Sequence, residues 1–503
     1  MNSPDILQGL NPAQHDAVIH RGGPLLVVAG AGSGKTRVLT QRIAHLIQED
    51  NINPFQILAI TFTNKAAQEM KDRVAALVGP VAEKMWVSTF HSACVRILRR
   101  DAEQLGYPSA FSIYDQADAT RLTGYVVRDL GLDNKKFVAR SVHAQISNLK
   151  NELISTDTAL DRADGIFGRK IAEIYDEYQR RLRSAGAMDF DDLLTVTVQL
   201  FDNFPNALSH YQERFQHVLV DEYQDTNPAQ NDIVLKLGDK HRNVFVVGDS
   251  DQSVYAFRGA DIRNILEFEK AFPDTGVVVL DQNYRSTQTI LDAANSVISN
   301  NYGRKPKELW TDKSGGDKIV MYRADDEVDE AAWIIGELQR LHGQGGLRWS
   351  DVAIFYRANA QSRILEERLA GVSVPYRVVG GTRFYDRREV KDALAYLRAV
   401  VNPADEVSLK RVLNVPKRGI GDSSVTRLDQ YANSNGVPFY EALNDWPEVG
   451  ISGPAKKGLA NFTELLRQLS SRVSDGPAEL LQLALERSGY IEELRDERSI
   501  EAE

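Results

Sequence analysis

The chain has 503 residues, 43% of them hydrophobic and 26% charged, with a formal net charge of −10. These are ordinary globular proportions with length for about three to four domains, which excludes a disordered, collagen-like or disulfide-scaffold chain. The single cysteine, Cys94, excludes an intrachain disulfide and a cysteine-cluster metal site, and the acidic total leaves nucleic-acid binding to local patches.

One such patch is 383–418, where nine Lys/Arg face five Asp/Glu. The opening MNSPDILQGLNPAQ has neither a basic nor an apolar leader segment. No apolar run approaches the roughly 18 residues that span a bilayer. The expectation is a cytoplasmic protein without a membrane partner.

In chain order, Pro24–Ala29 reads as a buried strand, followed by a glycine-rich loop and then by Leu39, Ile43, Leu46 and Ile47 on one helical face. Ile57–Phe62 and Trp86–Thr89 read as further strands, with Met70, Val74 and Leu77 marking a helix between them. From Tyr114 to Ala185 the strand signal gives way to a polar helical stretch, an inserted α-domain. Strands resume at His217–Val220, Asn243–Val247 and Gly276–Leu280. A second set is expected at Lys318–Tyr322, Asp351–Phe355 and Pro375–Val379, and after about Arg388 the chain reads as helical. The expected class is α/β, a parallel sheet with helices on both faces and helical inserts.

Ala29-Gly30-Ala31-Gly32-Ser33-Gly34-Lys35-Thr36 sits between a strand and a helix. It fits the phosphate-binding loop pattern of Gly, four residues, then Gly-Lys-Ser/Thr, with Ala in place of the first Gly. Small residues let backbone amides wrap phosphates, and the helix N-terminus adds positive potential. Lys35 is placed to reach the β and γ phosphates of ATP and the Thr36 hydroxyl to ligate Mg²⁺. The buried run Val218-Leu219-Val220 ends in Asp221 and Glu222. Asp221 is the expected Mg²⁺ partner, and Glu222 the base that orients and deprotonates water.

Together with Asn11-Pro12-Ala13-Gln14, the runs AGAGSGKTR, TFTNKAAQEM, STFHS, VDEYQD, VVGDSDQSVYAFRGAD and LDQNYRST closely resemble, in order, the superfamily 1A DNA helicases of the UvrD/PcrA/Rep type. The resemblance runs from about Leu10 to beyond Gly421. It implies an ATP-driven 3′-to-5′ helicase and single-strand DNA translocase of repair or replication, built from RecA-like P-loop NTPase domains. Domain 1A would be residues 1–113 and 186–284, insert 1B 114–185, the first part of domain 2A 285–388, and a partial insert 2B 389–503. Gln14 resembles the adenine reader, Arg37 and Tyr284 the pair that sandwiches the base, and Gln252 and Arg285 the γ-phosphate sensors. Phe62, Thr63 and Asn64, then Phe90 and His91, then Tyr255, Phe257 and Arg258 resemble the DNA-contacting motifs, with aromatic rings offering stacking platforms that tolerate any base. Arg411–Gly421 resembles a helix-hairpin-helix whose Gly-Ile-Gly amides meet a DNA phosphate. The implied partners are single-stranded DNA, 3′-tailed duplexes and DNA-repair proteins.

Two later motifs of the family, one resembling T-x-H-x-x-K-G-L-E and one carrying a second arginine, are not found before Glu503. The expectation is therefore an incomplete chain, weakly active or inactive, with a long unpaired sheet edge in domain 2A. The alternatives are the motor part of a RecB/AddA-like helicase–nuclease and a regulatory module that binds ATP and DNA without moving.

Overall fold

In the computed structural model, which describes residues 6–253, 260–261, 263–301, 307–379 and 387–497, successive residues of the first-half apolar runs go to opposite faces of one sheet. The strands are β1 (Leu25–Ala29), β2 (Ile57–Thr61), β3 (Trp86–Thr89), β4 (Ser112–Tyr114), β5 (Ala187–Asp189), β6 (His217–Val220), β7 (Val244–Gly248) and β8 (Gly276–Leu280). Six of them form a sheet in the order β3-β2-β6-β7-β1-β8, every pairing parallel. Leu26 and Val28 join Leu58, Ile60, Val218, Val220, Val244 and Val246 in one buried cluster. Leu25, Val27 and Ala29 join Ile57, Ala59, Leu219, Phe245 and Val247 in the other. That is the period of two expected of a strand, and burial on both faces is why these strands read as unbroken apolar runs.

Helices α1 (Pro12–Ile19), α2 (Lys35–Gln48) and α3 (Asn64–Val78) cover the second face with Val18, Leu39, Ile43, Met70 and Val74. Helix α4 (Phe90–Asp101) covers the first with Phe90, Ala93, Cys94 and Ile97. The class expected from the sequence, α/β with helices on both faces, is the one observed. The short parallel pair β4–β5 brackets α5 (Gln116–Asp129), α6 (Ala139–Asn151), α7 (Thr156–Arg162) and α8 (Gly165–Ser184), which share a core that includes Leu122, Val126, Ile146, Ile174 and Tyr178. Helix α9 (Phe190–Asn203) then returns the chain to the main sheet.

The three strands expected at 318–322, 351–355 and 375–379 do not form. A parallel strand needs ladder partners beside it and layers on both faces. Here helices Glu327–Gly343 and Ser362–Gly371 supply one small cluster of Ile335, Leu338, Leu369 and Val374. Met321 and Phe355 stay 92% and 93% exposed. Beyond Arg388 the described chain is helical as read. Its core includes Tyr396, Leu413, Leu428 and Phe462. In the turn before helix Asp422–Asn435, the Arg418 and Ile420 amides both donate to Asn414 Oδ1, at 2.7 and 3.2 Å. The Ile420 amide, assigned to a DNA phosphate by resemblance, is thus engaged within the turn. No helix among the described residues is long and apolar enough to cross a membrane.

Candidate active site

Four chain segments leave neighbouring strands at the carboxyl edge of the sheet, where ligands bind in open parallel α/β folds. β1 runs into the loop 30–34 and α2, β6 into Asp221, β7 into Asp249, and β8 into 281–285. The loop is drawn tight by Ser33, whose hydroxyl donates to Gly30 O at 2.8 Å. Gly32 and Gly34 have φ of 67° and 87°, in the region where side chains are strained. A Cβ on Gly30 would lie 2.0 Å from Leu309 Cδ2, and one on Gly32 2.5 Å from Asn283 Nδ2. At its glycines the loop therefore has room for backbone alone.

Lys35, first residue of α2, points its Nζ between two carboxylates, 3.3 Å from Glu222 Oε2 and 3.9 Å from Asp249 Oδ2. Its ammonium is buried and makes no hydrogen bond. A desolvated ammonium without a hydrogen-bond partner is costly unless a ligand completes it. Asp221 is buried, and burial, then the neighbouring Glu222, push its carboxyl up to about 7 against the pull of Lys35. Glu222 holds the left-handed backbone conformation at φ 51°, which costs a non-glycine residue about 1–2 kcal/mol and recurs at functional sites. Gln224 Nε2 donates to Glu222 Oε2 at 2.8 Å while its Oε1 accepts the Asp249 amide at 2.9 Å. Gln252 Nε2 donates to Asp249 Oδ2.

The segment after β8 is stitched onto the loop. Asn283 Nδ2 donates to Ala31 O at 2.6 Å, and the Tyr284 amide to Gly32 O at 3.0 Å. Asn283 Oδ1 accepts the Arg285 and Ser286 amides at 2.8 and 2.7 Å. This holds the exposed Arg285 beside the loop. The structure thus brings Lys35, Asp221, Glu222, Gln252 and Arg285 to one edge. Gln224, Asn283 and Lys307, whose ammonium lies 2.7 Å from Asp249 Oδ1, were not picked out from sequence. Gln224 lies inside the VDEYQD run and Asn283 inside LDQNYRST, so their neighbours were the signal; Lys307 has none.

The adenine candidates are less simply placed. Gln14 is buried, and both ends of its amide are engaged: Nε2 donates to Ser33 O at 2.8 Å and Oε1 accepts the Asn11 amide at 3.2 Å. Arg37 and Tyr284 are exposed. Arg37 donates to Gln8 O, and the Tyr284 hydroxyl joins Asn11 and Gln282.

Among the DNA-contact candidates, Phe62 is half-buried at the end of β2, and the exposed Thr63 and Asn64 begin α3, where the Thr63 hydroxyl accepts the Ala66 amide at 3.1 Å. Phe90 departs from expectation. It is 4% exposed and packs in the core, because the first residue of α4 faces the sheet, so its ring offers no stacking surface. His91 is half-buried edge-on to Phe190, and burial lowers its pKa. Tyr255, Phe257 and Arg258 lie outside the described residues.

The donor set fits a nucleotide with its divalent cation. No group of three acidic, His or Cys side chains able to hold a metal occurs among the described residues. Mg²⁺ on a nucleotide does not require one, since it is held by one or two protein groups plus phosphate oxygens and water. Thr36 and Asp221 are the groups that would do so.

Comparison with known proteins bears on the same segments. Residues 10–273 match the family model of the UvrD/REP helicase N-terminal domain, and 278–450 that of the UvrD-like helicase C-terminal domain. The chain is 48% identical over 502 residues to the ATP-dependent DNA helicase PcrA of Bacillus subtilis, covering 100% of this chain and 68% of that protein. It is 52% identical over 504 residues to the ATP-dependent DNA helicase UvrD1 of Mycobacterium tuberculosis, covering 97% of this chain and 65% of that protein. The chain thus spans about two thirds of the length of these relatives.

Proposed function

The chain belongs to the UvrD/REP helicase family, and on that premise we propose that it is the ATP-hydrolysing part of a DNA helicase that travels 3′ to 5′ on single-stranded DNA. The observation that carries this reading is the buried Lys35 ammonium without a hydrogen bond, set over a loop of bare backbone and beside Glu222. In the proposed division of labour, residues 1–113 and 186–284 form domain 1A, 114–185 insert 1B, 285–388 part of domain 2A and 389–503 part of insert 2B. The loop amides 30–34 and Lys35 bind the β and γ phosphates. Thr36 and Asp221 would hold Mg²⁺, which would supply positive charge against the charge that develops during transfer.

Glu222 orients a water in line with the γ phosphate and accepts its proton. Gln252 and Arg285 contact the γ phosphate, and the permanent charge of Arg285 stabilises the transferring phosphoryl group. Gln14, on release from Ser33, reads the adenine edge, and Arg37 and Tyr284 stack on the base. DNA binding uses Phe62, Thr63, Asn64 and His91, with Tyr255, Phe257 and Arg258; it is backbone-directed, salt-sensitive and tolerant of sequence. The motif order that resembles superfamily 1A supports the direction of travel. Substrates are single strands and 3′-tailed duplexes, and DNA-repair proteins are the proposed partners in the cytoplasm.

The test is ATP turnover with and without single-stranded DNA, in parent and Glu222→Gln protein. The variant is expected to bind nucleotide like the parent and to turn over about 10²–10⁴-fold more slowly, the usual worth of a positioned base. Turnover by the variant at near the parent rate would show that Glu222 is not the base.

A further inference from the structure

Lys307 belongs to none of the motifs, yet it is the cation most deeply set in the site. Its side chain is 1% exposed, with Nζ 2.7 Å from Asp249 Oδ1 and 2.6 Å from Asp251 Oδ2. Asp249 is the junction of the site. Its other oxygen lies 3.9 Å from Lys35 Nζ and accepts a hydrogen bond from Gln252, while Oδ1 also accepts the Asp251 amide at 3.0 Å. The two groups proposed to meet the terminal phosphates, Lys35 and Gln252, thus both face one buried carboxylate. Buried charge seeks a partner. Among the described residues, the other cation facing Asp249 is Lys35.

We infer that Lys307 is a positioning residue for nucleotide binding: by neutralising Asp249 it keeps Lys35 from being captured there and leaves its ammonium free for phosphate. This rests on the reading of Lys35 as the phosphate ligand. The geometry agrees, since Asp249 lies at hydrogen-bond distance from Lys307 and 3.9 Å from Lys35, whose ammonium makes no hydrogen bond. Lys307 also arrives from the segment that follows the arginine-bearing turn at 283–286, so it ties that segment to the end of β7.

The experiment is calorimetric titration with Mg²⁺ and the non-hydrolysable ATP analogue AMPPNP, with circular dichroism as the check on folding. If Lys307→Met leaves Lys35 captured nine-tenths of the time, the apparent Kd rises about tenfold, because affinity scales with the fraction of competent protein. Asp249→Asn in the same background removes the captor and is expected to bring Kd back to within about threefold of the parent, the competent fraction being restored. Asp251→Asn in that background restores the same net charge but leaves Asp249 charged beside Lys35 without the Lys307 cation, and is expected to stay weak. Lys307→Arg, which keeps the cation, is expected to bind like the parent. If Lys307→Met does not fold, Lys307→Gln and D249N/K307Q replace it in the same comparison.

Parent-like affinity in folded Lys307→Met would overturn the inference. So would equal rescue by Asp249→Asn and Asp251→Asn, which would reduce Lys307 to a general field effect. No rescue by Asp249→Asn would make Lys307 a direct phosphate contact and overturn it too. Failure of the parent chain to bind AMPPNP would instead overturn the reading of Lys35 on which the inference stands.

Discussion

Asp221 and Glu222 are adjacent in sequence and live in different surroundings. Asp221 ends a strand inside the sheet, with its amide donating to Ile60 O at 2.8 Å. Glu222 turns out of the sheet, its side chain 33% exposed. Burial and the Glu222 charge push the Asp221 carboxyl up to about 7. A raised acid holds its proton in the folded state between its ordinary value of 3.8 and about 7, so its contribution to stability falls as pH climbs through that window. The same shift couples metal to protons, because a cation needs the ionised carboxylate. Near pH 7, Mg²⁺-loaded nucleotide is expected to expel about half a proton more from the parent than from Asp221→Asn, with the difference vanishing about two units higher. Calorimetry in buffers of different ionisation heat reads this directly. Equal proton release by parent and variant across that range would mean that Asp221 does not meet the metal.

At the scale of elements, the helical insert is fastened to the sheet by charge. Lys150 at the end of α6 places Nζ 2.8 Å from both Asp189 Oδ2 in β5 and Asp192 Oδ1 in α9, and Tyr178 donates to Asp189 at 2.7 Å. Next to it, Asn151 donates to Asp191 at 3.1 Å and accepts from Asn227 at 2.5 Å. Asn227 caps the helix that follows the Asp221–Glu222 turn, so the insert reaches that turn through this cap. Burial, then Asp189, push the Asp192 carboxyl up to about 7. Removing the cation strands two buried carboxylates, which costs about 3–5 kcal/mol. An exposed pair such as Arg363–Glu367 is worth about 0–1 kcal/mol. Urea unfolding is therefore expected to show Lys150→Met destabilised by about 3–5 kcal/mol and Arg363→Ala nearly unchanged; a loss below about 1 kcal/mol in the former would show that water already solvates the cluster.

The same scale shows what was legible. β1, β2, β6 and β7 are readable because parallel strands buried in a sheet become apolar runs; β8 carries such a run too, although at the sheet edge Val277 and Val279 stay exposed. Lys318–Tyr322 carries such a run too, but run composition says nothing about whether a partner lies alongside. β4 and β5, three residues each, are too short for any pattern. Phe90 is not legible as a core residue, because a loop aromatic and the first turn of a core helix look alike in sequence.

Across the whole molecule, contacts between distant segments decide what sequence could not supply. Asp405, fully buried, accepts the Tyr114 hydroxyl at 2.6 Å and the Ser408 amide at 3.0 Å, and Arg128 pairs with Asp429 at 2.8 Å. The Tyr114 and Arg128 contacts, with Val407 buried in the insert's core, dock the C-terminal helices onto the α5–α8 insert. The Tyr114–Asp405 and Arg128–Asp429 contacts join residues 291 and 301 positions apart, a separation at which no local pattern operates. The segment 29–36 is the opposite case: eight consecutive residues carry the strand end, the loop, the helix start and the proposed phosphate ligand together. Lys307 stands between the two, a lysine outside every motif whose place in the site exists only in the fold.

The central claim, that the edge formed by β1, β6 and β7 is a nucleotide site built around Lys35, is tested most directly by titrating the chain with Mg²⁺ and AMPPNP before and after Lys35→Ala. One site per chain is expected in the parent. Its affinity is expected to fall about a hundredfold or more in the folded variant, the scale of losing a buried charge-assisted contact. Affinity in Lys35→Ala equal to that of the parent would place the nucleotide elsewhere and contradict the assignment.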